Sequence, residues 1–375
     1  MVFARSVGLV QLVLPLSRMT EAHSTARRWL VSPSFDLGWF VAPGLLALLV
    51  ALAVGLRLEP SDDDSLALWI AGVLLVDVAH VWASLYRTYL DPEARRHHAQ
   101  LLRSAPLLVF LIGFMIHAVA PPLFWTALAY VAVFHFIKQQ EGFVALYLRI
   151  EGGSAHDRLL AKLAVWASTA GPVVYWHAQL PRRFAWFMHG DFVAGLPELI
   201  GTIAVWAQLP VLLVFALRRV ALGRRGHPMV ALLVALTAVS WNLGIVWFDD
   251  DRVFTLSNVF IHGVPYMALV WIAGGREAVE RGVGRARPVP LVGLVIGFYL
   301  LLAALAFGEE ALWDRLVWGE HPELFGDGVL ELGELRLALC VAALTVPQAT
   351  HYLIDRWIWR VGPKNPNLAR QLGFD

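Results

Sequence analysis

Four histidines, His80, His135, His262 and His351, stand singly in apolar stretches, each with a polar companion at helical spacing. Asp77 precedes His80 by three residues, Asn258 precedes His262 by four, Asp355 follows His351 by four, and Gln139 follows His135 by four with Glu141 just beyond. Residues three or four apart lie above one another on one helical face. Neutral imidazole is the commonest metal ligand. A metal-bound imidazole usually gives its second N–H to a carboxylate or carbonyl, which fixes its tautomer and orientation. The chemistry expected is therefore metal binding by His80, His135, His262 and His351. Asp77 and Asp355 are ligands or orienters in this reading, and Gln139, Glu141 and Asn258 position water or substrate. A metal-free proton relay through the His/Asp pairs is the second chemistry open to these residues. Hydrogen-bonded packing with no common site is the third.

The elements that must carry these residues are membrane helices. The chain has 375 residues, 58% of them hydrophobic and 16% charged, and its mean hydropathy is +0.61. A soluble domain cannot hide that much apolar surface. A net charge of +1 argues against a nucleic-acid partner. The single cysteine, Cys340, allows neither an internal disulfide nor a thiolate metal motif. The expected fold is an all-α, polytopic integral membrane bundle of about ten spans. They run over 37–56, 66–89, 103–120, 122–149, 159–179, 197–217, 229–248, 253–273, 290–307 and 335–359. The expected organisation is an N-terminal cytoplasmic or interfacial segment 1–35, a transmembrane domain 36–360 and a cytoplasmic tail 361–375.

Basic residues gather in alternate loops: Arg95-Arg96 with Arg103, then Arg149, Arg158 and Lys162, then Arg218, Arg219, Arg224 and Arg225, then Arg276, Arg281, Arg285 and Arg287. The intervening loops hold Asp62-Asp63-Asp64, Asp249-Asp250-Asp251 and the acidic segment Glu309–Glu334, with Arg182-Arg183 the exception. Positive charge marks the cytoplasmic side, so both termini are expected there, in a bacterial inner membrane. The four histidines then fall on parallel, even-numbered spans, roughly 12–20 Å from the cytoplasmic ends at 1.5 Å per residue. His97 and His98 lie in a cytoplasmic loop that either folds back to the cluster or meets lipid headgroups. Tyr266 and Tyr352, close to His262 and His351, either supply a hydroxyl to a reacting oxygen or pack.

Single histidines on separate spans near the cytoplasmic side resemble the constellation of membrane non-haem iron enzymes: fatty-acid desaturases, sterol and lipid hydroxylases, and bacterial β-carotene dioxygenases. The desaturase and hydroxylase boxes H-x-x-H-H and H-x-x-x-H are absent, so the carotenoid-cleaving type is nearer. The resemblance implies an iron-dependent oxidoreductase acting on a lipid or other apolar substrate, with an electron-donor protein as a partner. Histidines with aspartate inside a bundle also resemble the membrane metal hydrolases that include the alkaline ceramidases, which implies zinc and hydrolysis. A proton-coupled transporter using the buried His/Asp pairs is the reading that needs no metal. The sequence has no H-E-x-x-H, no phosphate-cradling glycine loop and no G-x-S-x-G elbow.

Overall fold

A computed structural model of the chain describes residues 29–59, 65–284 and 289–374. Most of the expected N-terminal segment, Asp62-Asp63-Asp64, Arg285 and Arg287 lie outside the described residues. The long helices are α1 (Pro33–Arg57), α2 (Leu66–Arg87), α3 (Ala99–Val119), α4 (Pro121–Glu151), α5 (Ala155–Ala178), α6 (Glu198–Arg225), α7 (Pro228–Trp247), α8 (Asp251–Val283), α9 (Leu291–Trp318) and α10 (Glu334–Ile358). No strand occurs among the described residues. Eight of these helices are long and apolar enough to cross a membrane, so the protein is an integral, multi-pass membrane protein. The other two, α4 and α5, are as long but more polar. The run Lys138-Gln139-Gln140-Glu141 lies midway along α4.

Local chemistry sets the boundaries. Pro121 and Pro122 occupy the first turn of α4, where a missing N–H costs nothing. The α4 helix ends on Gly152 at φ 68, ψ 31, a left-handed cap that glycine adopts without strain. Ser154 and Asp157 cap α5 reciprocally. Together these signals make α4 and α5 a tight hairpin.

The hub is α8, with 89% of its most apolar window buried against 17–56% for the other apolar helices. It bends twice. Pro265 lies inside it, and at Gly274 the backbone reaches φ 124 before helix resumes at Arg276–Val283. Gly274-Gly275 therefore breaks the helix rather than ending it. Arg87 at the end of α2 holds this break, donating to Ala273 O at 2.7 Å and Ile358 O at 3.3 Å. Along α2, residues Trp69–Val78 form a π-helix just before His80, a departure that frequently marks functional sites.

One expectation is corrected and one exception is explained. The ninth span does not stop at 307, because α9 continues to Trp318 and absorbs the start of the supposed Glu309–Glu334 loop. The Glu309 carboxylate is buried there, accepting from Trp82 Nε1 at 2.7 Å and Trp313 Nε1 at 3.4 Å, so the helix carries it without an unpaired group. Arg182, the exception among the basic loops, is tied to Asp249 at 3.1 Å and to the carbonyls of Ile245 and Phe248. A local partner set holds it where it is.

Candidate metal centre

The α8 backbone is fixed first. Proline at 265 offers no N–H to the carbonyl four residues earlier, that of Ile261. Gln140 Nε2 donates to that carbonyl at 2.9 Å, and Gln139 Nε2 donates to the carbonyl of His262 at 2.9 Å. The glutamine pair of α4 thus satisfies the bend in α8 and fixes the height of His262 against His135. On the other flank, a Cβ at Gly263 would lie 2.7 Å from Val76 Cγ1 and 3.0 Å from Val76 O. Only glycine lets α2 approach this closely, and that approach brings His80 against His262.

The four imidazoles form a closed ring. Ring centroids are 4.6 Å apart for His80 and His262, 5.2 Å for His262 and His135, 4.7 Å for His135 and His351, and 5.2 Å for His351 and His80. Exposures of 1%, 5%, 0% and 0% for His80, His135, His262 and His351 place all four in the interior. His80, His135 and His351 each offer a ligand nitrogen, and these nitrogens lie within 4.8 Å of one another. His262 Nε2 is 3.1 Å from His80 Nε2, while its ring stacks on Phe136 at 3.6 Å between centroids.

The carboxylates stand behind the imidazoles. Asp77 Oδ1 is 3.6 Å from His80 Nδ1 and Asp355 Oδ1 is 3.5 Å from His351 Nδ1. Tyr266 donates its hydroxyl to Asp355 Oδ1 at 2.7 Å, which aims that carboxylate. Nε2 of His351 therefore faces away from its carboxylate. Among the described residues, His135 Nε2 and His351 Nε2 are buried with no hydrogen-bond partner. Such orphans are costly, and a metal ion would take both. Nitrogens bound at about 2.0–2.1 Å around a tetrahedral ion sit roughly 3.3 Å apart. The His80–His262 spacing of 3.1 Å already fits, and His80, His135 and His351 close to it from at most 4.8 Å by side-chain rotation. The donor set suits the metals that imidazole holds.

The remaining candidates lie elsewhere. Glu141 pairs with Lys138 at 2.7 Å and accepts from Trp166 Nε1 at 2.9 Å. Six residues is about one and two-thirds turns, which carries Glu141 off the His135 face. Asn258 donates to Phe254 O at 2.8 Å and to Ser257 Oγ at 3.3 Å, and contacts none of the imidazoles. Gln139 acts on the His262 carbonyl as described. His98 is bound to Asn365 Oδ1 at 2.9 Å and does not join the ring. Sequence reasoning missed Phe136, whose position next to His135 turns it toward α8. It left open Tyr266, one turn beyond His262, and Tyr352, whose ring lies 4.5 Å from that of His135.

Scans of protein-family models, curated proteins and solved structures return no match to this chain. The likeness to membrane metalloenzymes therefore rests on the histidine constellation alone.

Proposed function

We propose that the protein is an intramembrane metal-dependent enzyme, a non-haem iron oxygenase acting on a lipid or other apolar substrate. In this reading α4 and α5 join the eight apolar helices as spans, both termini face the cytoplasm, and the membrane is a bacterial inner membrane. The observation that carries it is the group His80, His135 and His351, three buried imidazoles from three helices with ligand nitrogens within 4.8 Å. These three would hold the ion, with His262 beside them as a fourth ligand or as an orienter of His80. When bound, iron would supply dioxygen activation at an open coordination position. Asp77 and Asp355 stand 3.6 and 3.5 Å behind Nδ1 of His80 and His351 and would hold the ligating tautomers once an ion draws the rings into place, and Tyr266 fixes Asp355. Phe136 and Tyr352 cover the ring and keep water from its flanks. Reduction of the metal requires electrons, so an electron-donor protein is the implied partner.

One observation favours a second reading. The close group is all histidine, with both aspartates behind it, and three imidazoles plus water is a ligand set of catalytic zinc. Zinc would lower the pKa of its bound water for hydrolysis of a lipid amide or ester. Elemental analysis with an absorption spectrum, on full-length protein purified anaerobically, tests both. The expected result is about one iron per chain, lost in His80→Ala, His135→Ala and His351→Ala. Zinc in the same stoichiometry selects the hydrolase. Metal content unchanged in all three variants removes both readings, and a metal-free protein that drives pH-dependent uptake in vesicles is a carrier.

A further inference from the structure

A cavity of about 1180 Å³ lies beside the imidazole ring, between α4, the start of α5 and the end of α10. Pockets for small ligands run to about 1,000 Å³, so this one suits a long molecule. At its deep end stands His135 beside Tyr352, and at its far end Arg149 and Arg158, with Arg356 and Arg360 along the α10 side between them. From His135 to Arg149 along α4 is roughly 21 Å at 1.5 Å per residue. Apolar side chains such as Leu146 and Leu269 line the stretch between the two ends.

Charge is unbalanced along this cavity. Its cations are Lys138, Arg149, Arg158, Lys162, Arg356 and Arg360, against the carboxylates Glu141 and Asp355 alone. Glu141 is taken by Lys138 and Trp166, and Asp355 by Tyr266. Among the described residues, none of the other five cations is in an ion pair. The adjacent arginines on α6 differ: Arg218 pairs with Asp157 and Arg219 with Glu151, both at 2.7 Å. The bias of positive charge to one membrane face accounts for cations at this end. The five cations are exposed, with Arg149 over the Phe374 ring and Arg158 donating to Gly153 O, so what singles them out is their place along a cavity that reaches a candidate metal ligand.

We propose that the molecule this site acts on is a long-chain amphiphile with an anionic head, phosphate or carboxylate. Arg149 and Arg158 hold the head, and the chain runs up the cavity past Arg360 and Arg356 to His135. The assignment rests on the metalloenzyme reading above for what happens at the deep end, but its binding arm is tested separately. Full-length protein in uncharged detergent is titrated with hexadecyl phosphate, palmitate, hexadecanol and inorganic phosphate. Hexadecyl phosphate or palmitate should bind at least about tenfold more tightly than hexadecanol or inorganic phosphate. The double variant Arg149→Gln/Arg158→Gln should lose about tenfold or more for the anionic amphiphiles only. A monodisperse double variant with wild-type metal content excludes misfolding, and Arg149→Lys/Arg158→Lys should keep most of the affinity. Which amphiphile binds better separates phosphate from carboxylate heads. Equal binding of hexadecanol, competition by inorganic phosphate as strong as by the amphiphile, or an unaffected double variant overturns the proposal. His135→Ala should lose metal and keep amphiphile binding. Wild-type protein that binds the amphiphile but no metal removes the metalloenzyme reading and leaves the cavity assignment standing.

Discussion

Replacing Gln140 by leucine tests whether α4 completes the bend in α8. Gln140 Nε2 is the donor to the Ile261 carbonyl at 2.9 Å, and its Oε1 accepts a longer bond from Thr237 at 3.3 Å. Leucine keeps the volume and removes both bonds. Thr237 retains Leu233 O as a partner at 2.8 Å, so the loss falls on the Ile261 carbonyl. An orphaned buried polar group costs about 1–3 kcal/mol, or roughly 5- to 150-fold in the folded-to-unfolded ratio. The cost has one source, the missing N–H at position 265. In a Pro265→Ala background that N–H returns, and Gln140→Leu should become nearly neutral. The coupling across the double-mutant cycle should be about 1–2 kcal/mol. Reversible unfolding in mixed micelles, followed by tryptophan fluorescence at rising dodecyl sulfate fraction, measures all four corners. Equal costs of Gln140→Leu in both backgrounds would refute the claim that the glutamine answers the proline.

Gly263→Ala places a Cβ 3.0 Å from Val76 O and 2.7 Å from Val76 Cγ1. Overpacking of about 1–3 kcal/mol should push α2 and His80 outward and weaken metal binding by about tenfold or more, read by metal titration. Asp355→Asn should weaken metal binding about 10- to 100-fold without abolishing it, with Tyr266→Phe smaller in the same direction. Complete loss in Asp355→Asn would make the carboxylate a ligand. Arg87→Lys cannot reach Ala273 O and Ile358 O with one planar fork. It should leave a carbonyl unpaired, cost about 1–3 kcal/mol and speed limited proteolysis after Ile358. His98→Ala should leave metal content unchanged, since its partner is Asn365.

The four histidines were legible because each interrupts an apolar run with a polar companion at helical spacing. Asp77 and Asp355 were legible from spacing alone, and both lie within 3.6 Å of the expected imidazole. What spacing could not give was the direction a polar side chain takes between two helices. Gln139 sits one turn from His135, yet its amide goes to the backbone of another helix, beside the Ile261 carbonyl that Pro265 leaves to Gln140. Glu141 goes to Lys138, one turn away, and to Trp166 on α5. The π-helix over Trp69–Val78 leaves no compositional trace, since its residues are as apolar as any in an α-helical span. The end of α9 was misplaced for a related reason. Glu309 looks like a loop residue until Trp82, from far along the chain, bonds it.

The polar groups of the interior fall into two sets, and the division bears on function. Gln139, Gln140, Arg87, Glu309 and Glu141 each bond a backbone carbonyl or side chain that needs them, although Gln139 Oε1 and Arg87 Nε make no bond. Each can be explained by the fold alone. The imidazole ring is different. His135 Nε2, His351 Nε2, His80 Nδ1 and His262 Nδ1 are all buried with no hydrogen bond among the described residues. Other orphans lie on the same four helices, among them Asp77 Oδ1, Gln139 Oε1, Asn258 Oδ1 and Thr350 Oγ1, and elsewhere, as His117 Nδ1 and Ser240 Oγ do; what sets the ring apart is that four of them belong to imidazoles in mutual contact. Packing has no use for several unsatisfied nitrogens in one place, since apolar side chains of the same shape would be more stable there. Neutral imidazoles with carboxylates behind two of them, at the head of a basic-mouthed cavity, are what a fold retains when a ligand supplies the missing partner.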